Sequence, residues 1–93
     1  MKLKLVPTSQ FKKDYKLAKK RGYDISLLEE VLESLRKGEK LEERLRDHTL
    51  VGRYLGFREC HILPDWLLIY AIDGDRLILT AVRTGTHSDL FDE

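Results

Sequence analysis

Three histidines, His48, His61 and His87, share the carboxy-terminal half of the chain with Asp65, Arg83 and Phe91. Histidine both gives and takes a proton near neutral pH. Arginine offers a permanent cation with a planar fork of donors suited to phosphate. Phenylalanine offers a flat face on which a base stacks. RNA cleavage uses this set. The ribose 2′-hydroxyl must lose a proton to attack the adjacent phosphate, and the 5′-oxygen must gain one as it leaves. The phosphorane between them carries added negative charge. Histidines would serve the proton transfers and Arg83 the charge. Asp65 would move a second proton or orient a histidine. The densest stretch is Arg83-Thr84-Gly85-Thr86-His87-Ser88-Asp89-Leu90-Phe91, where Gly85 permits a turn between the cation and the histidine.

Each residue also has a plainer reading. Asp65 follows Pro64 as an ordinary turn residue. His61 would be a half-buried sheet histidine, His48 a surface residue bonded to Asp47, and 83–91 a solvated tail. Three histidines and an aspartate are good zinc ligands, but no pair has the i, i+4 or H-x-H spacing that preforms a site. The reading is therefore metal-free, with no cofactor. A single cysteine, Cys60, excludes an internal disulfide and a cysteine-based zinc site.

The elements that must position these groups follow from periodicity. Residues 2–6 alternate polar and apolar, as a half-buried strand does. Pro7 ends it, and Thr8 or Ser9 caps a helix over 10–21 with Phe11, Tyr15 and Ala18 as its buried stripe. Gly22 closes that helix. Asp24 starts a second helix over 25–37, whose stripe is Leu27, Leu28, Val31, Leu32 and Leu35, and Gly38 stops it. The short link predicts an antiparallel helical hairpin. Residues 39–46 read as a charged loop with one helical turn, anchored by Leu41 and Leu45. Strands are predicted over 53–57, 58–63, 66–72 and 76–82, with turns at Pro64-Asp65 and Asp73-Gly74-Asp75. In the strand 58–63, Cys60 and Ile62 share one face, and Glu59 and His61 the other. The order β-α-α-β-β-β-β describes one α+β domain over 1–93: a twisted antiparallel sheet with the helical hairpin on one face.

Charge is divided along the chain. Residues 1–46 carry 13 Lys/Arg against 8 Asp/Glu, and residues 47–93 carry 4 against 8. Every lysine precedes residue 41. A basic amino-terminal face beside a His/Asp/Arg half would grip a polyanion and act on it; from charge alone, ordinary solvation of a first strand and helix is the favoured reading of the lysines. No run of about 18 apolar residues is present, so no membrane span is expected; the single cysteine fits a reducing cytoplasm, the location expected.

Three blocks then carry a resemblance. Asp47-His48-x-Leu50-x-Gly52, Phe57-Arg58-Glu59-Cys60-His61-Ile62-x-Pro64-Asp65-Trp66-Leu67-Leu68-Ile69-Tyr70 and Arg83-Thr84-Gly85-Thr86-His87-Ser88-x-Leu90-Phe91 are similar to the YafQ branch of the RelE/ParE toxin superfamily, and the likeness covers the whole chain. It implies a type II toxin that enters the ribosomal A site and cuts mRNA by the 2′-hydroxyl route, leaving a 2′,3′-cyclic phosphate, without a metal. It implies His87 and Asp65 as proton-transfer groups and His48 and His61 around the phosphate. It places Arg83 on the phosphate and Phe91 near the base. Lys12, Lys16, Lys19 and Lys20 would then face ribosomal RNA. The implied partner is a small ribbon-helix-helix antitoxin, through which alone operator DNA would be reached. RelE's own scheme of sheet lysines, arginines and a late tyrosine does not transfer, because no lysine follows residue 40 and Phe91 cannot donate a proton. Two other classes stay open: a weakly active relative acting mainly as an antitoxin-binding co-repressor, and a gyrase poison of the ParE branch. The full His/Asp/Arg/Phe set argues against both.

Overall fold

A computed structural model of the chain describes residues 2–91; Met1, Asp92 and Glu93, the ends of the expected 1–93 domain, lie outside them. The elements are β1 (Lys4–Pro7), α1 (Ser9–Lys20), α2 (Ile25–Arg36), a 3-10 turn (Glu43–Leu45), β2 (His48–Thr49), a second 3-10 turn (Gly52–Tyr54), β3 (Arg58–Leu63), β4 (Trp66–Asp73), β5 (Ile78–Gly85) and α3 (His87–Phe91). Both long helices start on the expected caps. Thr8 Oγ1 accepts from Phe11 N, and Asp24 accepts from Ser26 N. Thr8 also ties α1 to the sheet, its hydroxyl donating to Val82 O at 2.7 Å.

The sheet runs in the order β1-β5-β4-β3-β2. Its fold class is α+β as expected, but the sheet is mixed, not wholly antiparallel. β1 pairs parallel with β5, Leu5 opposite Leu79, while the other three pairs are antiparallel. Hairpins join only antiparallel strands. The first and last strands are joined by everything between them, so no local signal sets their direction.

β4 sits in the middle and is buried on both faces. This explains its unbroken apolar run. On one face Trp66, Leu68 and Tyr70 join Cys60, Ile62, Leu79 and Ala81 against the helical hairpin, where Leu28, Val31, Leu32 and Leu35 of α2 complete the core. Each such aliphatic side chain contributes roughly 1.5–3 kcal/mol by leaving water. On the other face Leu67 and Ile69 pack with Tyr54 and Leu90. That smaller core required elements read differently above. Residues 53–57 do not form a strand: Gly52 and Gly56 both have positive φ, at 69° and 94°, and the segment curls so that Tyr54 covers the sheet. The edge strand is instead His48–Thr49, paired with Glu59 and Arg58. The last strand extends to Gly85, and the stretch after it is a helix, neither a strand end nor a solvated tail.

Candidate active site

Cross-strand partners point to the same face of a sheet. Reading the pairs across, His48 lies opposite Glu59, Glu59 opposite Ile69, and Ile69 opposite Arg83. The next line holds His61 opposite Leu67 and Leu67 opposite Gly85. The sheet therefore sets His48, Glu59 and His61 on the face away from the helical hairpin. α3 adds His87 and Phe91 beside them.

The rings form a row. The centroids of His48 and His61 are 6.1 Å apart, those of His61 and His87 5.8 Å, and those of His87 and Phe91 6.5 Å. Phe91 is fixed in turn by an edge-on contact with Tyr54 at 5.6 Å. All three histidines, Asp65 and Phe91 thus converge, although 43 residues separate His48 from Phe91.

His87 is oriented by Asp65. Asp65 Oδ1 lies 2.6 Å from His87 Nδ1 and accepts from the His87 backbone N–H at 2.9 Å. The backbone and ring hydrogen bonds from His87 hold the Asp65 carboxyl below the usual carboxylate range. An ionised Asp65 fixes the Nδ1–H form of the ring, which leaves Nε2 for proton exchange.

α3 itself is held by a reciprocal cap. Asp89 Oδ2 accepts from Thr86 N at 2.9 Å, while Thr86 Oγ1 accepts from Asp89 N at 3.1 Å. Asp89 also takes two hydrogen bonds from Arg21 at the end of α1. Gly85 is required here because a Cβ would come within 2.9 Å of Asp89 Oδ2. The hydrogen bonds from Arg21 hold the Asp89 carboxyl well below the carboxylate range; burial opposes them, and the Thr86 N–H and hydroxyl add smaller effects in the same direction as Arg21. A carboxylate with a depressed folded pKa stabilises the fold above its unfolded pKa of about 3.9, and that contribution is lost as pH falls through the folded value. The side chains are 35% and 25% exposed, so solvent screening limits the pair to about 1 kcal/mol. Asp89→Asn is expected to flatten the acid limb of stability below about pH 5; urea unfolding across pH measures it, and an unchanged limb would remove Asp89 from this role.

Other expected residues are placed differently. Arg83 lies on the site face by register, but its guanidinium is held by Asp14 of α1, Nε to Oδ2 at 3.1 Å and Nη2 to Oδ1 at 3.0 Å. It is therefore not an open phosphate fork. Lys12, Lys16, Lys19 and Lys20 are exposed on α1, which packs on the opposite face of the sheet. His48 is not bonded to Asp47, which instead accepts from Arg58 and from the Tyr70 hydroxyl. The Cys60 thiol is pushed up to about 12 by burial, which removes it as a nucleophile.

Three features of the site lie outside the residues expected from the sequence. Glu59 is buried to 5% exposure, with Oε1 3.1 Å from His48 Nε2 and 3.4 Å from His61 Nε2. Its signal was the Glu59-x-His61 spacing, which puts both on one strand face. Asp14 occupied an apolar stripe position between Phe11 and Ala18. Arg44 and Arg46 line a cleft of about 530 Å³ with His61, Leu63, Pro64 and His87, and so bring cations to the histidine row. Against metal binding, the spacing argument fails in three dimensions, because strand pairing brings His48, Glu59 and His61 within ligand distance.

Residues 3–92 match the family described as the bacterial toxin of type II toxin–antitoxin system, YafQ. The chain is 41% identical over 85 residues to the mRNA interferase toxin YafQ of Escherichia coli K12, covering 90% of each. The crystal structure of the E. coli DinJ–YafQ toxin–antitoxin complex superposes with a TM-score of 0.88 at 36% identity, covering 98% of this chain and 99% of that one. That of a metal-bound toxin from Helicobacter pylori gives 0.90 at 40% identity, covering 96% and 99%. Among the described residues, no helix is long and apolar enough to cross a membrane.

Proposed function

The chain belongs to the YafQ family of bacterial type II toxins, and from that premise we propose that it is an mRNA interferase that cleaves at the histidine row. The observation that carries this reading is the His87–Asp65 pair, 2.6 Å between Nδ1 and Oδ1, with the His87 ring set between those of His61 and Phe91.

Phe91 supports the base, and the scissile phosphate sits over His61 and His87. His61 Nε2 stands 3.4 Å from the Glu59 carboxylate, and the other ring nitrogen takes the 2′-hydroxyl proton. The 2′-oxygen attacks phosphorus, and the P–O5′ bond breaks. His87, charged and steadied by Asp65, gives its Nε2 proton to the leaving 5′-oxygen, and a 2′,3′-cyclic phosphate remains. Cations at the rim, Arg46 and the exposed Arg44 with its Glu42 partner, offset the developing charge. Arg83 acts through the fold rather than on the phosphate. The exposed lysines of α1 contact ribosomal RNA, and the mRNA is cut in the A site.

An antitoxin partner is carried over from the DinJ–YafQ complex. A ribbon-helix-helix antitoxin, with operator DNA reached only through it, follows from the family resemblance. The test is induction of the chain without an antitoxin. Growth arrest with cuts in ribosome-bound message is expected. Normal growth with tight antitoxin binding would favour a co-repressor, and DNA damage without mRNA cuts a gyrase poison.

Asp65 is a positioning residue in this scheme. Asp65→Asn keeps the shape but no longer enforces the Nδ1–H form, and cleavage is expected to fall roughly tenfold or more, less than on removing the imidazole itself. Single-turnover cleavage on programmed ribosomes would read this, with a change in kcat and an unchanged KM. Full activity in the variant would leave His87 without need of an orienting group.

A further inference from the structure

A second hollow, of about 390 Å³, lies at the turn between β3 and β4. Leu63, Asp65 and Trp66 line it from the turn, and Gly22, Tyr23 and Asp24 from the link between α1 and α2. We propose that this hollow is a nucleobase subsite, which takes a base of the mRNA beside the scissile phosphate and favours adenine, cytosine or guanine over uracil through Asp24. It rests on the nuclease reading above and names where the substrate binds next to the histidine row.

Continuity with the row is the first argument. Leu63 lines this hollow and also the cleft that holds His61 and His87, so it is the ridge between the two. Asp65 lines the hollow and is bonded to His87 Nδ1. A phosphate over His61 and His87 therefore has this space one side chain away. Phe91, 6.5 Å from the His87 ring, supports one flanking base, and the hollow receives the other. Its volume falls at the low end of the roughly 300–1,000 Å³ of small-molecule sites.

The second argument is the way Leu63 is turned. Plain alternation puts it on the face of His61. The register shifts between them instead: His61 lies opposite Leu67, and Leu63 opposite Trp66. Such a bulge re-aims a side chain. Here it carries Leu63 to the side of Trp66 and leaves an aliphatic group 47% exposed. A base laid against Leu63 covers it.

The third is the chemistry of the walls. Trp66 is 2% exposed, and the half-buried Tyr23 ring packs on it at 4.9 Å. Tyr23 and Leu63 offer apolar surface to the faces of a planar ring. The charged side chains in the lining, Asp24 and Asp65, are both carboxylates, so phosphate is repelled from the hollow and stays with the arginines of the cleft. Asp24 Oδ1 accepts from Ser26 N and from the Ser26 hydroxyl, which fixes the carboxylate and leaves Oδ2 for a ligand. A carboxylate at neutral pH only accepts. Adenine, cytosine and guanine present an amino group that donates. Uracil flanks its one N–H with two carbonyls, which meet the negative charge. Asp65 spends Oδ1 on His87, so the choice of base falls to Asp24.

The test uses the full chain and 2′-O-methyl tetranucleotides of A, C and U, which cannot be cut by the 2′-hydroxyl route. In NMR titrations the amides of Tyr23, Asp24 and Leu63 should shift along with those of His61 and His87. The A and C ligands should bind about fivefold more tightly than U. Asp24→Asn keeps a good helix cap, and so the fold. Its amide donates as well as accepts, and the preference should shrink to about twofold or less. Leu63→Ala should weaken all three ligands by about threefold or more, with the melting temperature little changed. Absence of shifts at Tyr23, Asp24 and Leu63, equal affinity for the three ligands, or an unaltered preference in Asp24→Asn overturns the subsite. Shifts at Tyr23 and Leu63 that follow protein concentration and not RNA also overturn it, and give the hollow to a second copy of the chain. A chain that binds in this way yet never cuts message on ribosomes keeps the subsite and overturns the nuclease. One that cuts at equal rates whether the A-site codon carries U or A and C does the reverse.

Discussion

His87→Gln should lower mRNA cleavage by about 10²–10⁴-fold, the usual worth of a positioned proton-transfer group, and leave the fold in place. The loss follows from chemistry: an amide cannot exchange a proton near neutral pH. The intact fold follows from the supports of α3. His87 is 41% exposed and contributes nothing to either core. Its helix is held by the Thr86–Asp89 cap, by Arg21, by the buried Leu90 and by Arg53 Nη2 donating to Leu90 O at 2.7 Å. The backbone N–H of residue 87 would still donate to Asp65. Cleavage of a programmed ribosome complex gives the rate, and thermal unfolding reports the fold. A variant that cuts at a rate near that of the parent would move the proton transfer elsewhere in the row. One that fails to fold would show that the ring is structural, against its exposure.

What could be read from residues alone was what is local. α1 and α2 announced themselves through apolar positions three and four apart and through Thr8 and Asp24, whose capping bonds reach two or three residues. β3 and β4 showed by alternation and by an unbroken apolar run. His61 and Asp65 fell to one end of a hairpin for the same reason. The rest is set by pairing across long separations. The parallel pairing of β1 with β5, the edge strand at His48 and the curl of 53–57 beneath Leu90 depend on which distant surface each segment meets. The partner of Arg83 lies 69 residues away. One local signal points the other way from the strand end expected above: Thr86-x-x-Asp89 is the spacing of a reciprocal helix cap, which turns the tail into a helix. Glu59 shares a strand face with His61 by alternation, but only the pairing of His48 opposite it sets it between the two histidines.

Asp14→Ala should cost about 3 kcal/mol of stability, the low end for stranding a charge by removing its buried partner. Asp14 is the only anion among eight cations in residues 1–21, and charge patterning alone makes it a solvated exception. The structure makes it a hub. Its side chain is 7% exposed, and it takes two hydrogen bonds from Arg83, one from Thr84 N at 3.2 Å and one from Gln10 Nε2 at 3.1 Å. Removing it leaves the Arg83 guanidinium, itself only 22% exposed, without its counter-charge, and the Thr84 N–H without an acceptor. Thr84 in turn accepts from Trp66 Nε1 and donates to Leu67 O, so the disturbance reaches the central strand. For a domain of this size the loss lowers the melting temperature by about 12–24 °C. Urea unfolding of Asp14→Ala, Arg83→Ala and the double variant separates the two roles open to Arg83. If Arg83 serves the fold, the double variant recovers part of the stability lost in Asp14→Ala, because no charge is left unpaired. If Asp14→Ala instead unfolds at the parent's urea midpoint while Arg83→Ala loses cleavage alone, Arg83 returns to the phosphate, as its place in the sequence first suggested.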